Sequence, residues 1–414
     1  VTPRAVVVGA GVIGLACADA LARFGWKVTL IDRGRVGGGC SHANCGYVCP
    51  SHVLPLAGPG AIRSTLKTLF ERDSPLAVRW RADPALWAWF FRFARRCNRP
   101  DMMRSARALH ALLQSSRRLY DDLFSRGDVD AEWSPRGLLF AFRDRAAHDH
   151  YAETDHLLRT EFGVGADRHD GAALESLEPA LRPGLAGGWL YRGDAHLHPA
   201  RLMASWAAAA RAAGVTIRED SPFHDVVTRM GRAVAVRVAG GEIPAEAVVV
   251  AAGAWTPLLG RALGITLPIQ PGKGLSLTTD RPSICPTYPL IFEERRVAVT
   301  PFADGFRLGS TMEFAGYDAS IPPGRLALLT RAAEEFLREP VGPNVRETWM
   351  GWRPMVPDGL PVIGRALRAP NVWIAAGHGM LGVSLATGTA RLIAELLNDR
   401  PTHIDARPYR PDRF

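Results

Sequence analysis

The stretch Ala5-Val6-Val7-Val8-Gly9-Ala10-Gly11-Val12-Ile13-Gly14 constrains this chain most. Four consecutive apolar residues enter a G-x-G-x-x-G turn, and the residues from Leu15 to Ala22 continue as a helix. Gly9 permits the tight turn, Gly11 lets a pyrophosphate approach the backbone, and Gly14 lets the helix close on the strand. The bare N–H groups and positive dipole end of that helix favour an anion. A second strand, Val28 to Ile31, ends at Asp32, 18 residues after Gly14, where a ribose hydroxyl would be held. This arrangement predicts an ADP-containing dinucleotide, with Ala10 inside the binding turn. It leaves NAD, NADP and FAD open.

A chain of 414 residues exceeds one ordinary core, so two domains are expected. Apolar residues make up 47% and charged residues 22%, which excludes disorder. No apolar run reaches the roughly 18 residues a bilayer span needs. The first strand begins almost at residue 1, so no signal peptide is expected and a cytoplasmic location follows. The net charge is +9, but no Lys/Arg-rich run dominates, so a solvated basic surface is expected rather than a nucleic-acid site. Cys40, Cys45 and Cys49 cluster, but their spacing fits no common zinc pattern and no His pair completes one. They are read as reduced packing thiols, with no metal expected.

The loop from Val36 to Tyr47 is rich in small residues, with Ser41 and Asn44 as polar side chains. It is either an ordinary surface loop or a second cofactor contact. Residues 63–96 interleave arginines with aromatic residues. Core packing is the first reading of the helix that starts after Asp83, because a helix apolar on more than one face is usually buried. The second is a peripheral membrane or quinone-facing surface. A polar amphipathic helix is expected over 101–126. A further helix runs from Pro199 to Ala213, with Gly214 just past its end. A hairpin turns at Gly231, and a buried strand from Ala247 reaches a glycine turn at Gly253. The fold class is therefore α/β, a Rossmann-like dinucleotide-binding domain with a second, mixed α+β substrate domain. The first is discontinuous (1–60, 195–258 and 346–414); the second takes 61–194 and 259–345.

The C-terminal section narrows the cofactor. Val372 to Ala376 reads as a strand, followed by Gly377-His378-Gly379-Met380-Leu381-Gly382 and a helix. An NAD enzyme needs one such turn for its pyrophosphate. A second helix N-terminus suits a flavin ring, whose N1–C2=O edge gains negative charge on reduction. FAD is the cofactor expected.

With these segments in place, the chain resembles the FAD-dependent D-amino-acid dehydrogenase family, within the wider D-amino-acid oxidase and glycine oxidase group. The matching segments are GAGVIG with Asp32, SHANCG (41–46), Ala57-Gly58-Pro59-Gly60, DPALWAWFFRFARRCN (83–98), GKGLSLT (272–278), WRPMVPDGLPVIG (352–364) and GHGMLG (377–382). The resemblance implies that Gly9, Ala10, Gly11, Gly14, Asp32, Arg33, Ser41, Asn44 and Gly46 hold the ADP and pyrophosphate side. It places Phe223 by the adenine and Gly253 and Trp255 along the cofactor. Gly377, His378, Gly379, Gly382 and Ser384 would embrace the isoalloxazine. Arg353 would grip a substrate carboxylate, which suits the two parallel donors of a guanidinium. Lys273 and His378 would stand near the chemistry, and Tyr47 and His52 on the substrate side.

The implied activity is oxidation of the Cα–N bond of a D-amino acid to an imine, with electrons passed to a quinone or other carrier. The run from Pro50 to Leu56 (PSHVLPL) is similar to the branch acting on cis-4-hydroxy-D-proline, which would yield 1-pyrroline-4-hydroxy-2-carboxylate. The stretch after SHANCG and the loop Met380-Leu381-Gly382-Val383 depart from the broad-specificity enzymes. A broad-specificity dehydrogenase and an oxygen-using amine oxidase are the alternatives within the group. A nucleotide-fold protein without catalysis is the alternative outside it.

Overall fold

The computed structural model describes residues 2–63, 74–367 and 369–414. Its first layer is a six-stranded sheet in the order Val362–Arg365, Val372–Ala376, Ala247–Val250, Arg4–Val8, Lys27–Ile31, Thr216–Arg218. All neighbours in it are parallel except the first pair. Both faces are covered, which is why its central strands are continuous apolar runs rather than alternating ones. One face carries Val7, Val28, Leu30 and Val249 into a core shared with helices Val12–Arg23, Arg99–Ser125, Pro199–Ala212 and Gly382–Leu397. The other packs Val6, Val8, Val248 and Val250 against a three-stranded sheet, Phe223–Arg229, Arg232–Val238 and Gly241–Pro244. The hairpin expected at Gly231 is present. Met230 and Gly231 both have positive φ, the backbone a two-residue hairpin loop requires.

The second layer is a nine-stranded sheet. Its path runs Val345–Met355, Gln270–Thr279, Phe306–Phe314, Val297–Pro301, Leu290–Phe292, Leu138–Phe142, Gly187–Tyr191, Asp167–Asp170, and Leu76–Val78 pairs with Phe306–Phe314. Helix Pro323–Phe336 packs on it through Leu329, Ala333 and Phe336. This sheet corrects the expected boundary at residue 346. Strand Val345–Met355 pairs with Gln270–Thr279 over its whole length and so belongs to the second sheet. A second correction concerns helix Arg99–Ser125, placed in the second unit by sequence. It lies against the closing helix Gly382–Leu397, where Ser116 Oγ meets Thr387 Oγ1 at 2.8 Å and the Tyr120 hydroxyl donates to Val383 O at 2.8 Å.

Helix Pro84–Arg96 starts at Asp83, whose carboxylate accepts from the N–H groups of Ala85 and Leu86. It buries only Leu86 and Trp89, against Phe314 and Met355. The core reading holds for Trp89, with Phe90 and Phe93 packed beside it, but Trp80 is 84% exposed, Phe91 64% and Trp87 39%, so for these three it is corrected: they form a surface. Leu66, Lys67, Leu69, Phe70 and Arg72, part of the same sequence expectation, lie outside the described residues.

Candidate active site

A cavity of about 2150 Å³ runs between the two sheets, from the opening turn to the start of the closing helix. At one end Gly9 has φ +104° and a Cβ there would stand 2.6 Å from the carbonyl oxygen of Ala251, so only glycine fits the turn. Gly14 does not line the cavity. A Cβ on it would stand 1.7 Å from Gly9 O, so its absence lets helix and strand touch. Asp32 accepts from Ala10 N at 2.6 Å and from Gly34 N at 2.9 Å, bracing the turn as well as edging the cavity. Ala10 itself does not line the cavity, and its N–H is spent on this bond. The Arg33 guanidinium lies 4.3 Å over the Trp255 ring, and Trp255 meets Trp352 edge-on at 5.4 Å. Phe223 and Gly253 complete this end.

The small-residue loop lines the cavity and is tied to the opening helix and to the second sheet. Ser41 Oγ accepts from Val12 N at 2.9 Å. Asn44 folds the loop on itself, donating to Cys40 O and accepting from Gly46 N. From the second sheet, Ser276 donates to Ala43 O, Arg307 to Asn44 O and Thr300 to Cys45 O. The alternative of an ordinary surface loop is thereby corrected. Gly46 has φ +69°, and a Cβ there would meet Leu197 O at 1.9 Å.

At the far end, Gly377 turns the chain with φ +76° but does not line the cavity. His378, Gly379, Gly382 and Ser384 do. His378 is buried and its Nε2 lies 3.0 Å from Thr389 Oγ1. Burial lowers its pKa to about 3, so the imidazole is neutral. Ser384 Oγ donates to Tyr47 O at 2.8 Å and accepts from Cys49 N at 3.2 Å, joining the closing helix to the opposite wall.

Arg353 stands on strand Val345–Met355, half-buried and facing the cavity. Its Nη1 donates to Thr311 O at 2.7 Å, and no carboxylate pairs with it among the described residues. Burial lowers its pKa, while Cys40 and Cys45 are the groups nearest in electrostatic reach. Cys40 is itself held as a neutral thiol, pushed up to about 12 by burial, and burial also raises Cys45. The guanidinium therefore presents an uncompensated positive charge to the cavity. Gly274 lies beneath it, where a Cβ would stand 2.2 Å from Nη1.

Lys273 is a correction. It sits on the fully buried strand Gln270–Thr279, does not line the cavity, and pairs with Glu313 and Asp318 at 3.2 Å each. Successive side chains of a strand point to opposite faces, so Gly274 faces the cavity and Lys273 faces away. Tyr47 lines the cavity with its ring, but its hydroxyl is bound by Leu290 O, Val299 O and Val299 N, and so is not open to a substrate. His52 lines the wall beside Phe140, with ring centroids 5.9 Å apart, and burial lowers its pKa to about 4.

The cavity fits a long dinucleotide. Two helix N-termini, Val12–Arg23 and Gly382–Leu397, border the cavity, one at each end, and neither is capped by the side chain of the residue that precedes it, though Ser41 takes the N–H of Val12. Gly9, Gly11, Asp32, Arg33 and Ser41 line the cavity by the opening turn and could hold an ADP portion; Cys45, Gly379 and Gly382 also line it and could border a flavin ring. Sequence reading missed Gly274, Thr389, Trp352 and Arg307, which reach the site only through strand register and helix packing.

Comparison with known proteins agrees with this layout. The family model of FAD-dependent oxidoreductases matches residues 4–396. The D-amino acid dehydrogenase of Paramagnetospirillum magneticum is 35% identical over 425 residues, covering 99% of each chain. That of Dechloromonas aromatica is 35% identical, covering 96% of this chain and 97% of its own. Among solved structures, glycine oxidase from Geobacillus kaustophilus superposes with TM-score 0.80 at 23% identity, covering 100% of both chains. L-proline dehydrogenase from P. horikoshii gives 0.74 at 19% identity, covering 100% of this chain and 98% of its own. At those identities the solved structures speak to the fold. Among the described residues no helix is long and apolar enough to cross a membrane.

Proposed function

The chain belongs to the FAD-dependent oxidoreductase family, and we propose that it is a D-amino-acid dehydrogenase whose substrate carboxylate is bound by Arg353. The observation that carries this reading is the cavity-facing guanidinium without an anionic partner. A carboxylate supplies that partner with two parallel hydrogen bonds. Bound FAD would supply the two-electron oxidant, taking the Cα hydrogen as hydride while the Cα–N single bond becomes the C=N of the imine.

The protein's own part is positioning. Arg353 fixes one end of the amino acid, and the ring walls of Tyr47 and His52 limit the other. The neutral His378, held by Thr389, borders the flavin end without adding a charge. Among the described residues lining the cavity no lysine approaches Arg353, since Lys273 is spent on its ion pairs. In this reading the amine reacts as the free base, and rate comes from orientation.

The substrate we favour is cis-4-hydroxy-D-proline, giving 1-pyrroline-4-hydroxy-2-carboxylate. Support comes from the Pro50–Leu56 run, which brings His52 and Leu54 to the cavity wall. The acceptor we favour is a quinone or other carrier. Trp80, Trp87 and Phe90 line the rim of the same cavity, and exposed Arg92 and Arg95 flank the exposed Phe91. Aromatic side chains beside arginines suit peripheral contact with an anionic bilayer.

The test is a panel of D- and L-amino acids, including the hydroxyproline isomers, scored by bleaching of the bound flavin without oxygen. Bleaching by D-isomers, fastest with cis-4-hydroxy-D-proline, is expected. Bleaching by none would end the enzyme reading. Peroxide formed in step with substrate loss in air would replace the carrier with oxygen. Cosedimentation with anionic vesicles, weakened in Trp80→Ser/Phe91→Ser, tests the membrane contact.

A further inference from the structure

We propose that Cys49, His52 and Asp194 form a binding site for one zinc-class divalent cation on the wall of the substrate cavity. One ligand atom from each residue lies within 4.8 Å of the other two. The spacing in sequence hides this: Cys49 and His52 follow strand Tyr47–Val48, whereas Asp194 precedes strand Ala195–His196. The antiparallel pairing of those two strands brings the three together. The sequence analysis expects no metal at the grouped cysteines, and Cys40 takes no part in this cluster, since its thiol donates to Trp352 O.

The chemistry of the set is specific. A thiolate, an imidazole and a carboxylate suit a borderline-soft ion such as Zn²⁺, which commonly takes three protein ligands and leaves a fourth position open. Cys49 and Asp194 are each 1% exposed. Asp194 accepts from Ser51 N at 3.0 Å and from Ser51 Oγ at 2.5 Å. Both are neutral donors, and among the described residues no lysine or arginine bonds to it. Arg117 acts on this buried carboxylate only through space and the Cys49 thiol bonds to it, so no cation touches it directly, and a metal ion in place of the thiol proton supplies that contact. Each carboxylate oxygen keeps a further lone pair for a metal. The bonds from Ser51 hold the carboxylate in place, as the outer partners of metal ligands do, and Ser51 Oγ also lies 3.3 Å from His52 Nδ1. Cys49, Ser51 and His52 line the cavity, so the ion enters from it and the open position faces it. On binding, the ion replaces the thiol proton of Cys49, which leaves to solvent. An ion here narrows the space beside the substrate, so turnover falls.

The test uses the flavin-loaded enzyme, stripped with a chelator and dialysed against zinc chloride. One zinc per chain by elemental analysis is expected, with a loss of turnover that chelator reverses. Both should disappear in Cys49→Ser and in Asp194→Asn, each judged folded by its retained flavin. Cobalt(II) in place of zinc should give the red-region absorption of a tetrahedral thiolate site, beyond the flavin bands. No retained ion, retention unchanged in both variants, or cobalt bound without that absorption overturns the proposal. The metal count is independent of the substrate assignment. Loss of turnover rests on it and is read with whichever amino acid bleaches the flavin.

Discussion

A Cβ built on Gly274 would stand 2.2 Å from Nη1 of Arg353, so the guanidinium lies on the bare backbone of the neighbouring strand. The strands are paired here, Gly272 opposite Arg353 and Gly274 opposite Gly351. Gly274→Ala should push the guanidinium aside without disturbing the pairing, because the clashing atom is the end of a flexible side chain. The expected outcome is a KM for the amino acid raised roughly 10-fold or more, with flavin content and melting temperature near wild type. A fall in melting temperature without a KM change would show that the glycine serves the strand and not the arginine.

Removing the charge itself should be more severe. Charge-assisted hydrogen bonds contribute about 1.5–3 kcal/mol each, so Arg353→Ala should lower kcat/KM by roughly 100-fold or more. Arg353→Lys should recover little, since a point charge cannot make the paired bonds of a guanidinium. Flavin should stay bound in both. Loss of flavin would move Arg353 from the substrate to the cofactor.

The two ends of the cavity were legible because their signals are local. Gly9, Gly11 and Asp32 fall within one strand-turn-helix-strand unit, and His378 and Gly382 within another. Sheet order was not legible: strand Val345–Met355 looked like part of the C-terminal unit until its pairing with Gln270–Thr279 was seen. The same register explains the miss at Lys273. Its neighbours in sequence flank the site, but the two-residue period of a strand turns its side chain to the opposite face. The exposed surface at Trp80, Trp87 and Phe91 was misread because aromatic density alone does not say which side is covered.

Lys273 should therefore be a stability residue. Its side chain is buried, and its Nζ also donates to Ser320 O at 3.1 Å. The bonds of Asp318 to Ser320 and to Lys273 hold that carboxylate down to about 2. Lys273→Met keeps the volume but strands Glu313 and Asp318. Breaking a fully buried pair costs about 3–5 kcal/mol, and partial exposure of the two acids reduces this to about 1–3 kcal/mol. Chemical denaturation should show that loss with KM unchanged. A KM shift without a stability loss would return Lys273 to the site.

Gly14→Ala sets two effects against each other. Alanine is favoured over glycine inside a helix by about 1 kcal/mol. Here its Cβ would stand 1.7 Å from Gly9 O, a backbone atom that cannot swing away. The clash wins, so the helix must move off the strand and the turn opens. The protein should be recovered without flavin, if it folds at all. Flavin retained at wild-type stability would mean that the helix and strand are less tightly apposed than the structure has them.

His378 makes a prediction about pH. Its pKa is about 3 in the folded protein against an ordinary 6.5. Below 6.5 the unfolded chain takes up a proton that the folded chain refuses, so unfolding is favoured as pH falls. The stability associated with this group is complete above pH 6.5 and is lost progressively toward pH 3. Between pH 6.5 and about pH 5 other histidines that burial lowers, among them His52 and His196, titrate alike in wild type and in the His378→Asn variant, so the difference between the two proteins reads His378, about 1–2 kcal/mol. His378→Asn retains a polar partner for Thr389 and removes the titration, so its stability should be flatter over that interval. Because the imidazole stays neutral throughout, kcat/KM should show no step from this residue near pH 6.5. If wild type and variant lose stability in parallel from pH 6.5 to about pH 5, the buried, neutral imidazole is not the cause, and the packing around Thr389 must be what the substitution reports.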